Sequence, residues 1–154
     1  MSFVITTPLY YVNDKPHLGS IYTTLICDSI ARFKRLSGDH VIFITGVDEH
    51  GLKIQRTAND KKVEPQSYCD GISNIFLQNW KNWDITYNKY IRTSSQIHES
   101  IVNEFYNRVK KSNDIYMGVQ KGWYCVGCEE FKDNPDNSSS RKCPIHQKNL
   151  EWKN

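Results

Sequence analysis

Apolar residues near the start of the chain form two short runs with a helical pattern between them. The runs are residues 3–7 (FVITT) and 41–45 (VIFIT), which are nearly continuous in apolar character and are typical of strands covered on both faces of a parallel sheet. Between them, apolar residues recur at helical spacing over residues 18–36, and Gly38 follows as a stop signal. Strand, helix and strand in this order predict a right-handed βαβ unit and therefore an α/β fold.

Four later segments carry further helix or strand signals. The polar turn at residues 46–51 (GVDEHG) precedes a short helix expected from Leu52, and a longer helix is predicted after Pro65. Residues 90–92 are expected to form a short strand. A last helix is predicted after residues 93–95, a Thr-Ser-Ser run that offers N-caps. The expected apolar faces are Cys69, Ile72, Phe76, Trp80 and Trp83 in the helix after Pro65, and Ile97, Ile101, Phe105 and Val109 in the last helix.

The last quarter of the chain loses this periodicity, and its last fifth carries a metal-ligand pattern instead. From Met117 onwards Gly, Cys, Asn, Pro and Ser dominate, so an ordinary apolar core is not expected there. Cys125, Cys128, Cys143 and His146 form the pattern C-x2-C-x14-C-x2-H, which supplies four tetrahedral ligands from two short turns. Three thiolates and one imidazole fill the coordination of Zn²⁺, so the sequence predicts a closed, structural zinc site. The alternative is reduced thiols packed only for burial.

Composition narrows the class of protein. The chain has 154 residues, the size of one domain with or without a small appendage, and its 12% aromatic residues are enough for a core. Its formal net charge of +3 permits a nucleic-acid partner without requiring one. No stretch approaches the roughly 18 apolar residues that cross a membrane, and we expect no signal peptide. Five unevenly spaced cysteines argue against a secreted disulfide scaffold, so we expect reduced thiols and a cytoplasmic location.

Ligands of open parallel sheets bind beyond the carboxyl ends of the strands, which selects the loops at residues 8–20 and 46–51. In the first loop, His17 and Ser20 are expected on one side of a first helical turn, and Gly19 lets a ligand approach the backbone. The positive end of that helix favours an anion such as a triphosphate. The alternative is a histidine that merely caps the helix. The glycine patterns of P-loops and dinucleotide folds are absent from the sequence.

The second loop offers a carboxylate directly after a buried strand. Asp48 is placed to pair with a cation, such as the ammonium group of an amino acid, in a partly desolvated site. The alternative is that Asp48 caps the helix beginning near Leu52. Glu49 and His50 by themselves establish neither a metal site nor an acid–base pair, because a solvated turn has the same residues.

Three of these stretches together resemble the N-terminal part of the methionyl-tRNA synthetase family, which belongs to the class I aminoacyl-tRNA synthetases. They are residues 6–20 (TTPLYYVNDKPHLGS), 45–51 (TGVDEHG) and 122–131 (GWYCVGCEEF), and the likeness continues to residues 143–152 (CPIHQKNLEW). The resemblance implies the first half of a Rossmann-like parallel-sheet catalytic domain with a small zinc-knuckle insertion. Residues 1–115 would be the nucleotide-binding half with the start of the connective insertion, and residues 116–154 the zinc knuckle.

The resemblance also implies a two-step reaction. Methionine and ATP, which acts with Mg²⁺, give methionyl-adenylate, and the methionyl group then passes to the acceptor end of tRNA(Met). His17, Gly19 and Ser20 align with the HIGH motif, which contacts ATP and steadies the phosphates, although Ser20 replaces the second His of the motif. The zinc knuckle would lie near the acceptor end of the tRNA.

The methionine pocket is implied by the same resemblance. The residues aligned with Pro8, Leu9 and Tyr11 help form it in this family, and the residue aligned with Asp48 binds the substrate ammonium. Synthetases for Val, Ile, Leu or Cys are disfavoured because residues 8–11 match the methionine type.

Besides Ser20, the sequence departs from complete family members in a second and larger respect. It contains no KMSKS-like segment, since Lys110-Lys111-Ser112 ends a predicted helix and lacks the motif. We therefore expect the chain to be the N-terminal portion of a longer ligase and to be inactive alone. A stand-alone zinc-knuckle module that binds RNA is the alternative from another functional class. Oligomeric state is not predicted.

Overall fold

The computed structural model describes residues 1–132 and 141–153, and it divides into two compact units, Met1–Glu104 and Phe105–Asn154. Helix α4 runs across the boundary between them. The strands are β1 (Ser2–Tyr11), β2 (His40–Asp48), β3 (Lys89–Arg92), β4 (Gly122–Cys125), β5 (Glu130–Lys132) and β6 (Glu151–Lys153). The helices are α1 (Leu18–Leu36), α2 (Leu52–Asp60), α3 (Pro65–Asn82) and α4 (Gln96–Lys111).

The first unit is built on a parallel sheet of three strands in the order β1-β2-β3. The α/β prediction and the strand predicted at residues 90–92 are therefore confirmed. Strand β1 is longer than predicted, because its pairing with β2 resumes after a register shift between Thr6 and Leu9. Pro8 lies at this shift, where its missing N–H interrupts no regular ladder. The carboxyl ends of all three strands lie at one edge of the sheet.

The main core packs α3 and α2 against the carboxyl ends of β1 and β2. Phe76 and Trp80 are fully buried and make ring contacts with Tyr10, at centroid distances of 5.7 and 5.8 Å. The predicted face of α3 is thus confirmed except at Trp83, which is 51% exposed. Helix α3 ends at Asn82, so Trp83 is its C-cap and leaves the direction of the buried face.

The buried face of α1 is not the apolar row by which the helix is recognised in the sequence. The row is largely exposed, with Leu18 81% and Leu36 89% accessible. The buried side chains are smaller or polar, and they include Thr24, whose hydroxyl contacts the Tyr10 hydroxyl at 2.7 Å, and Asp28, which accepts a hydrogen bond from the Thr86 amide at 2.8 Å. Small side chains allow the helix axis to approach the sheet closely, and their polar groups find partners there. The inward residues are Ser20, Thr24, Cys27, Asp28 and Ala31.

Helix α4 is present as predicted, but its apolar positions are also exposed. Ile97 is 75% and Phe105 70% accessible, and none of the helix residues is buried. Ser95 precedes the first turn, and its hydroxyl accepts a hydrogen bond from the amide of His98. The pattern therefore predicted the helix and its cap correctly, but not what the apolar face contacts.

The second unit contains a small antiparallel sheet in the order β5-β4-β6. Its buried apolar residues are Cys125, Cys143 and Leu150, with Trp123 packed against them. Two of the three buried side chains are thus candidate metal ligands. In the described part of the chain, no helix is both long enough and apolar enough to cross a bilayer.

Candidate functional site

The parallel register brings the predicted methionine residues to the carboxyl edge of the sheet. Tyr11, the last residue of β1, is the partner of Asp48, the last residue of β2, and Leu9 is the partner of Gly46. Partners in register place their side chains side by side. Tyr11 and Asp48 therefore lie together, and Leu9 lies two positions away on the same strand. Pro8 is exposed at the register shift beside Leu9.

Gly46 explains how β2 and β3 can lie so close at this edge. A Cβ atom at position 46 would stand 2.2 Å from the carbonyl oxygen of Ile91 on β3. No other residue fits without separating the two strands. The sequence contains this glycine in the GVDEHG turn, but its contact with a strand 45 positions later is visible only in the structure.

The predicted nucleotide residues lie at the start of α1. His17 is the N-cap, and its Nδ1 accepts a hydrogen bond from the amide of Gly19 at 3.0 Å. A Cβ at position 19 would stand 2.9 Å from His17 Cε1, so glycine makes room for the imidazole ring. The capping alternative is therefore correct as local structure. It does not exclude ligand binding, because capping uses Nδ1 and the ring is otherwise exposed.

A cavity of about 350 Å³ joins the two ends of the first loop. It contains Tyr11 from β1 and His17 and Ser20 from α1, so the structure brings a predicted methionine residue and predicted ATP residues together. Lys15 adds a positive charge, and the N-terminus of α1 adds the positive end of a helix dipole. Asp14 also lines the cavity and offsets the charge of Lys15, so the N-terminus of α1 is the feature that favours an anion beside the aromatic ring. Its lining residues are Tyr10, Tyr11, Asn13, Asp14, Lys15, His17, Ser20 and Phe76.

Asp48 is not a helix cap. The N-cap of α2 is Gly51, and no side chain caps that helix, so the capping alternative is wrong. The Asp48 carboxylate instead accepts hydrogen bonds from the His50 amide at 3.2 Å and from the Thr93 hydroxyl at 3.4 Å. It is half-buried and lines a second cavity, of about 510 Å³, together with His50, Thr93 and the first turns of α4. A carboxylate at a cavity wall can bind a ligand cation.

A buried ion-pair network holds the loop that carries Asp48, and sequence reasoning missed it. The Glu49 side chain has no solvent exposure. Its carboxylate accepts hydrogen bonds from Arg92 Nε at 2.9 Å and from the Ser94 hydroxyl at 2.6 Å, and it forms an ion pair with the Arg92 guanidinium at 2.7 Å. Arg92 also donates to Asp70 at 2.5 Å. The network joins β2, β3 and α3, which are far apart in sequence, so only the unexplained charge of Glu49 after a buried strand hinted at it.

The network also perturbs the ionisable groups around it. Burial acts to lower the pKa of Arg92, but its hydrogen bonds with Glu49 and Asp70 outweigh burial and hold that pKa above its ordinary value. The Arg92 hydrogen bond lowers the pKa of Asp70. Burial, reinforced by the charge of Glu49, raises the pKa of the Cys69 thiol to about 11. Arg92 therefore remains a cation and Cys69 a neutral thiol near neutral pH.

The four predicted metal ligands converge in the second unit. Their ligand atoms all lie within 4.8 Å of one another. Cys128 Sγ is 3.6 Å from Cys143 Sγ and 3.3 Å from His146 Nδ1, and Cys125 Sγ is 3.8 Å from the same nitrogen. A Zn–S distance of about 2.3 Å corresponds to a separation of about 3.8 Å between two sulfurs of a tetrahedron. The cluster fits a zinc-sized cation, and its thiols are free rather than disulfide-bonded.

Two similar turns carry these ligands. The Cys128 amide donates to Cys125 Sγ, and the His146 amide donates to Cys143 Sγ. Each turn ends on a residue with positive φ, Glu129 in the first and Gln147 in the second. Amide donation from His146 is the largest cause that lowers the pKa of Cys143, to about 6. Thiolate is the form that binds a metal, so this amide favours coordination by Cys143, whereas burial raises the pKa of the Cys128 thiol to about 11.

Gly127 is a further requirement of this cluster that the ligand spacing does not reveal. A Cβ at position 127 would stand 2.6 Å from His146 Cγ. The imidazole therefore lies directly over the backbone of the Cys125–Cys128 turn, and only glycine leaves room for it.

Comparison with known proteins finds related sequences over almost the whole chain. Residues 3–151 match the family model described as "tRNA synthetases class I (M)". The methionine–tRNA ligase of Thermosynechococcus vestitus is 52% identical over 152 residues, and the alignment covers 98% of this chain and 29% of the relative. The chloroplastic/mitochondrial methionine–tRNA ligase of Arabidopsis thaliana is 53% identical over 146 residues, covering 95% of this chain and 24% of the relative.

A solved structure shows the same fold. The chain superposes on Mycobacterium tuberculosis methionyl-tRNA synthetase in complex with methionyl-adenylate with a TM-score of 0.89 and 31% identity, covering 99% of this chain and 30% of that one. The chain thus spans less than a third of the length of these relatives. The resemblance and fold class predicted from the sequence are confirmed: the chain belongs to the class I methionyl-tRNA synthetase family.

Proposed function

We propose that this chain supplies the ATP- and methionine-binding part of a methionine–tRNA ligase. In the proposed reaction, methionine and ATP form methionyl-adenylate and release pyrophosphate, and the methionyl group then passes to tRNA(Met) with release of AMP. The observation that carries the proposal is the register of β1 and β2, which places Tyr11 beside Asp48 at the carboxyl edge of a sheet whose first loop leads to His17. An amino-acid site and a nucleotide site are thereby adjacent.

The amino-acid site uses charge for the ammonium group and apolar surface for the side chain. The Asp48 carboxylate would pair with the ammonium of methionine, a charge-assisted interaction at a partly desolvated wall. The rest of the amino acid would contact three residues near the end of β1, namely Pro8, Leu9 and Tyr11. Leu9 and Tyr11 are two positions apart in β1, so their side chains lie on the same face of the sheet.

The nucleotide site would stabilise phosphate charge without a covalent protein nucleophile. His17, Gly19 and Ser20 begin α1, where backbone N–H groups and the helix dipole favour an anion. ATP would bind here with Mg²⁺ as its companion ion. Positioning of the α-phosphate beside the methionine carboxylate lowers the barrier by orientation, and the fixed positive groups stabilise charge that develops in the transition state.

The metal cluster has a structural role in this proposal. Cys125, Cys128, Cys143 and His146 would hold Zn²⁺ with no open coordination position, and the ion would supply folding free energy to a unit with few buried apolar residues. Residues 116–154 would form this knuckle in the connective insertion, near the acceptor end of the tRNA, and residues 1–115 the nucleotide-binding half. Free thiols at all five cysteines are compatible with a reducing compartment, for which we propose the cytoplasm.

The proposal can be tested in a chimera. This chain would replace the aligned 29% of the Thermosynechococcus vestitus enzyme, to which it is 52% identical. We expect methionine-dependent ATP–pyrophosphate exchange, and we expect Asp48→Asn to raise the KM for methionine at least tenfold, because a hydrogen-bonded charge contributes about 1.5–3 kcal/mol. Asp60→Asn, at an exposed carboxylate that ends α2, is the matched control and should leave both constants unchanged.

Two outcomes would reject the proposal. One is a folded, zinc-loaded chimera that exchanges no pyrophosphate when methionine is added. The other is exchange that proceeds equally well with valine or isoleucine, since the pocket of Pro8, Leu9 and Tyr11 would then not be of the methionine type. The 154-residue chain alone serves as a reference and should bind a methionyl-adenylate analogue more weakly than the chimera does.

A further inference from the structure

The Thr93 hydroxyl lies among three consecutive residues, Asp48 at the end of β2 and the two residues that follow it. It receives a hydrogen bond from the Glu49 amide at 2.9 Å, and it lies 3.0 Å from His50 Nδ1 and 3.4 Å from Asp48 Oδ1. Thr93 is buried, directly follows β3, and its own amide donates to the Val47 carbonyl. The pairing of β2 with β3 therefore fixes the hydroxyl at this point.

The contacts of this hydroxyl can be satisfied together in only one way. A threonine hydroxyl has one proton and two lone pairs, and the Glu49 amide uses one lone pair. An ionised carboxylate can only accept, so the hydroxyl proton must point to Asp48. The remaining lone pair faces His50 Nδ1, which must then carry a proton and donate it. With the opposite tautomer, the hydroxyl would donate its proton to His50 Nδ1. The Thr93 hydroxyl oxygen and Asp48 Oδ1 would then face each other with no proton between them.

We propose that Thr93 is a positioning residue that holds His50 in its Nδ1–H tautomer. His50 Nε2 is then a hydrogen-bond acceptor, and it supplements the Asp48 carboxylate in binding the ammonium group of the amino-acid substrate. Both side chains line the same cavity of about 510 Å³. The identity of the ligand rests on the proposed function, whereas the tautomer rests on the hydrogen bonds alone.

The chemistry of an ammonium group fits two acceptors of this kind. It carries a positive charge and three N–H donors, so one carboxylate cannot satisfy it fully. A neutral imidazole with an unprotonated Nε2 adds a hydrogen-bond acceptor and does not repel the ammonium charge. In the Nε2–H tautomer, the ring N–H would instead face the N–H groups of the ammonium. The loop is rigid enough to hold this arrangement, because Glu49 between the two residues is clamped by Arg92 and Ser94.

The tautomer can be measured directly on the 154-residue chain. Long-range ¹H–¹⁵N spectra of ¹⁵N-histidine-labelled protein, recorded at about pH 8, distinguish a protonated from a bare ring nitrogen. We expect His50 to carry its proton on Nδ1, to keep it there in Thr93→Ser, and to lose this preference in Thr93→Val. His40, an exposed histidine at the start of β2, is the internal control and should be unaffected. A proton on Nε2 in the unmodified chain, or an unchanged tautomer in Thr93→Val, would overturn the proposal.

Kinetics of the chimera test the consequence for substrate. Thr93→Val should raise the KM for methionine about tenfold, the effect of losing one hydrogen bond to a charged ligand, while the KM for ATP stays unchanged. Thr93→Ser should restore the original value. His50→Asn, whose amide can still donate to Thr93 but has no atom at the Nε2 position, should raise the KM for methionine to a similar extent.

The two readouts separate this proposal from the proposed function. An active chimera in which neither Thr93→Val nor His50→Asn changes the KM for methionine would overturn the role assigned to His50. A chimera with no methionine-dependent exchange would reject the proposed function instead, and the tautomer measured on the isolated chain would still decide whether Thr93 positions His50.

Discussion

The two units of this chain are stabilised by different means. The α/β unit buries Phe43, Phe76 and Trp80 completely and surrounds them with partly buried aromatic residues. Among its described residues, the second unit (Phe105–Asn154, the Cys/His unit) buries only Cys125, Cys143 and Leu150 in its core. Removal of apolar surface from water stabilises the first unit, whereas the second buries little apolar surface, and in the proposed function a metal ion would cross-link it. The Cys/His cluster is therefore best regarded as the core of the second unit.

The largest expected effect is the loss of a metal ligand. Cys143→Ser should unfold the Cys/His unit, because metal binding contributes about 10–16 kcal/mol to the folding of such small sites. The zinc content measured per chain should fall from about one equivalent to below about half an equivalent. NMR signals of β4 and β6 should collapse while those of the α/β unit persist. Cys27→Ser, in the other unit, is the matched control, and a full equivalent of zinc in Cys143→Ser would contradict the assignment.

The reciprocal change removes the centre of the apolar core. Trp80→Ala should destabilise the α/β unit by about 3–5 kcal/mol, because it deletes a fully buried indole and leaves a cavity against Tyr10 and Phe76. Thermal unfolding followed by circular dichroism would measure the loss, while bound zinc should remain stoichiometric. Trp83→Ala serves as the comparison, since that side chain is half exposed and should change stability by less than 1 kcal/mol or so.

A smaller change should weaken the metal site without removing a ligand. Gly127→Ala places a methyl group against the His146 ring, an overpacking that costs about 1–3 kcal/mol. Competition with a zinc chelator should show a lower affinity by one or two orders of magnitude, with the α/β unit unaffected. Gly71→Ala, where a Cβ meets open space in α3, is the control and should not lower zinc affinity. Equal zinc affinity of Gly127→Ala and the unmodified chain would show that the ring can move.

The smallest expected effect is a change in how stability depends on pH in the acid range. Burial acts to raise the pKa of Asp28, but hydrogen bonds from Thr86 and Arg32 outweigh it and place that pKa below its ordinary value. A lowered folded-state pKa gives stability that is present above the ordinary value, about pH 4, and is lost as the pH falls through the folded value. Acid unfolding of the α/β unit should therefore become less steep in Asp28→Asn. The Cys/His unit should unfold at higher pH, because its ligands must stay deprotonated to hold a metal. If both units unfolded at the same pH, this expected difference between them would be contradicted.

Features set by local sequence are those that could be predicted. The strand runs predict β1 and β2, the spacing of Cys69, Ile72, Phe76 and Trp80 predicts the buried face of α3, and the ligand pattern predicts the Cys/His cluster. Each of these signals is contained in a short stretch whose periodicity or spacing has one dominant physical interpretation.

Features that depend on distant partners could not be predicted. The exposed apolar row of α1 has the same periodicity as a buried one, and only the partners of Thr24 and Asp28 show which side faces the sheet. The buried charge of Glu49 is explained by its hydrogen bond with Arg92, which lies 43 positions later. Thr93 was expected as a possible helix cap, but Ser95 takes that position and Thr93 contacts the loop after β2 instead.

Gly46 illustrates how contacts between two strands can by themselves make a position intolerant of change. Because a single added carbon at this position would meet the Ile91 backbone, any substitution drives apart the two strands that deliver Asp48 and Thr93. In a scan of every substitution along the chain, position 46 should therefore behave like a catalytic position. Mutational intolerance at this position would follow from the spacing of β2 and β3 alone, without any contact with substrate being required.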